Sequence, residues 1–174
     1  MKKSIKAILY DEHSSLWGLH FRIPEDIALQ FKEGKTSRII ATFNNEVLHH
    51  CAIMPSSEGP FIMLNKEIVK DLKIRTGDVV QIDIEKDTSK YGMPIGEEFE
   101  AVVVGDEAVF QHFQNLTPGK RRNLIHLVNK VKNPDIKINR SMAIAQHLME
   151  TKGNINFKQL NEKIKEFNQR NKIR

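Results

Sequence analysis

Along the first hundred residues the hydrophobic positions keep the period of two that marks β-strands. Ile5, Ala7 and Leu9 alternate with Lys6, Ile8 and Tyr10, and Leu19, Phe21 and Ile23 alternate with His20 and Arg22. Pro24 suits a helix start, Ile27 and Phe31 give a short helix one apolar edge, and Gly34 ends it. Strands are predicted over 37–43 and 46–53, joined by Asn44-Asn45, since asparagine tolerates the positive φ of a tight hairpin turn. Pro55 to Pro60 reads as a loop.

The same pattern then returns. Ile23, Ile27, Phe31, Ile39, Ala41 and Phe43 recur 41 residues later as Leu64, Ile68, Leu72, Val80, Ile82 and Ile84. Each copy reads as a short strand, a short helix and a longer strand, with Asn65 as an N-cap and Thr76-Gly77-Asp78 as a turn in the second. Lys86–Gly96 reads as an inserted loop, and 98–104 returns to strand alternation. About seven strands result, enough for a closed or nearly closed barrel.

From Asp106 the period becomes helical. A short helix is predicted over 108–116. Thr117-Pro118 opens a second helix to about Val131, with Leu124, Leu127, Val128 and Val131 on one edge. Asn133-Pro134 opens a third, with Ile138, Met142, Ala145 and Leu148 aligned and Gly153 as its stop. Asn156 with Gln159 is a capping box ahead of Phe157, Leu160, Ile164 and Phe167, and a frayed tail is expected from Asn168. The expected class is α+β: an N-terminal pseudo-symmetric double-split β-barrel with short helices over 1–105 (repeats about 19–53 and 60–104), then an all-helical lobe over 106–174.

Composition changes this picture little. The hydrophobic share of 40% and charged share of 28% are those of an ordinary soluble chain. A single cysteine, Cys51, excludes an internal disulfide. No segment approaches the roughly 18 apolar residues of a membrane span. The apolar run Ala7–Tyr10 is too short for a signal peptide, so a cytoplasmic setting without membrane insertion is expected.

Charge does change it. Residues 1–110 carry 13 Lys/Arg against 18 Asp/Glu, and residues 111–174 carry 14 against 4. Lys120, Arg121, Arg122, Lys130, Lys132, Lys137 and Arg140 gather around the junction of two helices, and Arg122, His126 and Lys130 follow one helix face. That face could meet a row of phosphates, dock on an acidic protein or on the acidic barrel half, or simply be solvated. His49-His50-Cys51 invites a metal, but on a strand only His49 and Cys51 share a side, and no second Cys or paired-His motif completes a zinc set. Cys51 reads as a small core residue, and neither GxGxxG nor GxxxxGK[ST] occurs. No catalytic residue, metal or cofactor is assigned.

Leu64 to Val80, with its short helix and Thr76-Gly77-Asp78 turn, resembles the swapped-hairpin double-split barrels of AbrB- and MazE-type proteins. Two copies in one chain would let a single polypeptide form the barrel, so a monomer is compatible with the sequence. The first copy departs, with Gly34-Lys35-Thr36 in place of the Gly-Asp turn. Leu116-Thr117-Pro118-Gly119-Lys120-Arg121-Arg122 and Lys132 to Arg140 resemble the tail motifs of the bacterial YdeI or OmpD-associated, bacteriocin-protection family, with Lys137 in place of an arginine. That resemblance implies no activity. The favoured expectation is a non-enzymatic binding protein whose basic lobe contacts an acidic partner. A nucleic-acid binder using Lys120–Arg140 is the alternative, and an enzyme using His126, His147 or Cys51 between barrel and helices is the third.

Overall fold

The computed structural model describes residues 1–12, 18–34 and 37–170, and two compact units divide it after Gly92. The Lys35-Thr36 departure and the last four residues of the tail lie outside the described residues.

The first unit holds β1 (Lys2–Glu12), β2 (Gly18–Arg22), α1 (Glu25–Gln30), β3 (Arg38–Phe43), β4 (Val47–Met54), β5 (Phe61–Met63), α2 (Lys66–Asp71) and β6 (Val79–Lys86). The strands close into an antiparallel barrel in the order β1-β2-β5-β4-β3-β6. Inward positions alternate as the sequence requires: Leu9, Phe21, Ile39, Phe43, Ile62, Ile82 and Ile84 are all fully buried. Asn44 and Asn45 take φ of 49° and 59°, the primed turn expected of that pair.

The internal repeat is a two-fold. Phe21 pairs with Ile62 and Thr42 with Asp83, so each residue faces its own counterpart 41 positions on. β1 and β4 obey the same operation. Leu9 faces Phe21 as Ile53 faces Ile62, and Ile5 faces Ile82 as His49 faces Ala41, an offset of 44. The third strand of each copy therefore precedes the strand–helix–strand core instead of following it. The three residues of difference fall between first and second strands, so only the later part of each copy keeps an even spacing.

The expected strand over Glu98–Val104 is helical. α3 (Glu97–Phe99) runs into a π-helical turn (Glu100–Val104), closed by Gly105 N–H donating to Glu100 O at 2.9 Å. Phe99, Ala101 and Val103 satisfy a period of two, but Phe99 and Val103 also stand four apart, and only these two are buried. The barrel already closes with six strands, so no edge is left for another.

The second unit continues with α4 (Glu107–Gln114), α5 (Pro118–Asn129), α6 (Pro134–Glu150) and α7 (Phe157–Arg170). Thr117 and Asn133 cap their helices through side-chain oxygens, as sequence predicts, and Asp106, which the sequence does not single out as a cap, does the same for α4. Asn156 caps α7 by accepting from Lys158 N and Gln159 N, but its own N–H donates to His147 Nε2 at 3.2 Å, so the reciprocal Gln159 contact is replaced. α6 is the central helix and packs against α3, the π turn, α4, α5 and α7. Its buried face differs from the expected edge: Asn139, Ser141, Ala143, Ile144, His147 and Leu148 are buried, while Ile138 and Met142 stand exposed. No described helix is long and apolar enough to cross a membrane.

Candidate functional site

The division of the chain relocates its charge. Residues 1–92 carry 13 Lys/Arg and 13 Asp/Glu, whereas residues 93–174 carry 14 and 9. The acidic excess counted over residues 1–110 comes from Glu97, Glu98, Glu100, Asp106 and Glu107, which belong to the helical unit. Residues 1–92 thus carry no net formal charge, and the excess of cations over carboxylates falls in residues 93–174.

Within that unit the seven predicted cations separate into three groups. Lys120, Arg121 and Arg122 occupy the first turn and a half of α5, all half-buried. Lys130 caps the C-terminus of α5 and Lys132 follows it, both exposed. About ten residues at 1.5 Å each put the two groups roughly 15 Å apart, so they form two ends of one helix, not a single cluster. Arg122, His126 and Lys130 connect them along the outer face, with the last two exposed. The inner face of α5 buries Leu124, Ile125 and Val128.

Lys137 and Arg140 are committed inside the unit. Lys137 Nζ pairs with Glu98 Oε1 at 3.5 Å, and Arg140 Nη1 donates to Leu127 O at 2.5 Å. Burial pushes the Arg140 guanidinium below its ordinary pKa. These two residues fasten α6 to α3 and α5.

The start of α5 has no acidic residue in its first turn, though the positive end of the helix dipole favours one. Three cations stand there instead. The Thr117 hydroxyl accepts only the Lys120 N–H, at 3.4 Å, from the N–H groups of that turn. Consecutive helix positions spread these side chains around the axis, but all three add positive charge at the end where the backbone N–H groups are already in excess, which costs stability in isolation and suits an anion.

The residues weighed for catalysis or metal binding take other roles. Cys51 lies in the barrel core, where burial pushes its thiol from 9.0 up to about 12, so it holds its proton at neutral pH. His126 is exposed on α5 and His147 is buried in α6. His49 and Cys51 take the inward positions of β4 and His50 the outward one, as the strand period predicts. Among the described residues no group of three or more His, Cys, Asp or Glu could hold a metal.

One polar constellation was not legible beforehand. His50 Nδ1 lies 2.9 Å from Asp87 Oδ2, while Asp87 Oδ1 accepts from Ser89 N at 2.9 Å and from Ser89 Oγ at 2.5 Å. Burial pulls the Asp87 carboxyl up, but the Ser89 and His50 contacts outweigh it and hold it below the usual range. Arg38 Nη2 donates to Gly92 O at 2.5 Å, and Asp87 N–H to Arg38 O. The Ser89 hydroxyl bonds to the carboxylate and not to the imidazole, so no serine–histidine relay exists here. The network binds the segment after β6 back onto β3 and β4. Its only sequence trace is Asp87-Thr88-Ser89, a turn pattern.

Comparison with known families separates at the same place as the fold. Residues 6–84 match the family described as Domain of unknown function (DUF1905). Residues 93–151 match the family described as Bacteriocin-protection, YdeI or OmpD-Associated. The chain is thus similar to the first family over residues 6–84 and to the second over residues 93–151. The YdeI/OmpD-associated stretch contains all seven cations, the capping Thr117 and the whole of α5 and α6. The resemblance carried by the Leu116–Arg122 motif is thereby borne out. A search of curated proteins returns no match.

Proposed function

We propose that this protein is a non-enzymatic binding protein, and that the outer face of α5 with the corner leading into α6 contacts an acidic protein. Lys120, Arg122, Lys130 and Lys132 are its principal contacts, with Arg121 beside them. The carrying observation is the start of α5, where Lys120, Arg121 and Arg122 crowd the positive end of a helix that has no acidic residue in its first turn. A protein partner also agrees with a family description that speaks of association and not of catalysis.

The second reading is nucleic acid. The line Arg122–His126–Lys130 favours it, since steps of four residues space the side chains by about 6 Å along the helix. Anisotropy measurements on labelled poly-glutamate, duplex DNA and single-stranded DNA and RNA separate the two. The proposal expects the poly-glutamate probe to bind at low salt, with the affinity lost when Lys120, Arg122, Lys130 and Lys132 are changed to alanine. Preference for a nucleic acid, with affinity falling on the order of 10³-fold or more between low and physiological salt, would transfer the proposal to the second reading. No binding by any probe ends both.

A further inference from the structure

The buried face of α6 leaves an apolar row on its other side. Ile138, Met142 and Met149 are 40%, 45% and 44% exposed, and half-buried Ala145 completes the row. The steps between them are four, three and four residues, which keep all four side chains within about 60° of one another around the helix. Asp135 and Gln146 are the polar residues bordering them on that side. An outward helix face is ordinarily polar, yet here three large apolar side chains meet water on a helix whose opposite face is fully occupied.

This spacing is that of the seam between two packed helices. Read in reverse, the row is its own complement. Against a second copy running the other way, Ile138 comes opposite Met149 and Met142 opposite Ala145. At the ends of the seam, exposed Asp135 of one copy comes near the turn that follows α6 in the other, where Lys152 is exposed. A parallel pairing would instead set Asp135 beside Asp135 and Lys152 beside Lys152, and would align the two helix dipoles unfavourably. We propose that α6 is a self-association surface, pairing antiparallel with α6 of a second copy about a two-fold axis level with Ala143 and Ile144. Such a contact is isologous and closes at two copies. The seam is about 16 Å long, shorter than a standard interface provides, so the dimer is weak and concentration-dependent.

Sedimentation equilibrium on the full chain tests this, over concentrations up to about 1 mM. The mass is expected to rise from 20.1 kDa toward twice that value. I138E and M149K should each hold the chain at the monomer mass, with far-UV circular dichroism unchanged because both positions are exposed. The I138E/M149K double variant should recover the dimer, since the antiparallel register sets the two new charges face to face. A monomer mass at every concentration overturns the proposal, and is the outcome if another protein covers the row. A dimer unaffected by I138E, or one that the double variant does not recover, overturns it as well.

Discussion

At the scale of the residue, the fold depends on positions whose chemistry leaves little choice. Gly105 closes the π turn, and a Cβ there would stand 2.5 Å from the backbone oxygen of Ala101. Since that atom is backbone, relief requires moving the turn. Gly105→Ala is expected to cost about 1–3 kcal/mol, read as a lower denaturant midpoint with unchanged slope. A stability equal to that of the unaltered chain would contradict the geometry. His147 is the second such position. It is 2% exposed and its Nε2 accepts the Asn156 N–H, so its proton sits on Nδ1. Burial first, and Lys163 second, push its pKa below 6.5. The unfolded chain therefore takes up this proton before the folded one. The contribution of His147 to stability is present above 6.5 and is lost as the pH falls from there through the lower folded value. Tm should drop between about pH 7.5 and about pH 5.5, and His147→Gln, which keeps an acceptor without titrating there, should flatten that drop. An equal drop in both proteins would assign it elsewhere.

At the scale of the element, legibility followed how many constraints each stretch of sequence carried. The caps Thr117 and Asn133 were readable because an acceptor followed by a proline has few other uses, whereas Asp106 marked only the change of period and its cap required the fold. The strands of the barrel were readable because one face of each is mainly apolar, His49 on β4 being an exception. Glu98–Val104 was not, since Phe99 and Val103 satisfy both periods and only the completed barrel decides between them. Nor was the buried side of α6, where Asn139, Ser141 and His147 go inside; His147 is matched by the Asn156 N–H, and no local pattern announces such a partner. The cations of α5 were visible as residues, but their separation into two ends, and the internal use of Lys137 and Arg140, required the fold. The start of α5 carries its own prediction. Replacing Lys120 by glutamate puts an acid where the dipole favours one, so Lys120→Glu should stabilise the helical unit by about 0.3–1 kcal/mol while weakening the acidic probe. A variant that loses stability together with binding would make Lys120 a structural residue.

At the scale of the molecule, a duplicated barrel and a cationic helical unit divide the chemistry between them. The two-fold that relates Phe21 to Ile62 and Thr42 to Asp83 consumes most of the barrel's apolar residues in its core, and the unit is left without net charge. The excess of cations lies in residues 93–174, and within it the stretch Lys120–Lys132 carries five cations and no carboxylate, at the two ends and along the outer face of α5. The most direct test of this assignment is an amide-resolved NMR titration of the full chain with poly-glutamate at low salt. Chemical-shift changes gathered on Lys120, Arg121, Arg122, Lys130 and Lys132, and reversed by added salt, are the predicted result. Changes concentrated on the barrel strands, or none at α5, would contradict it.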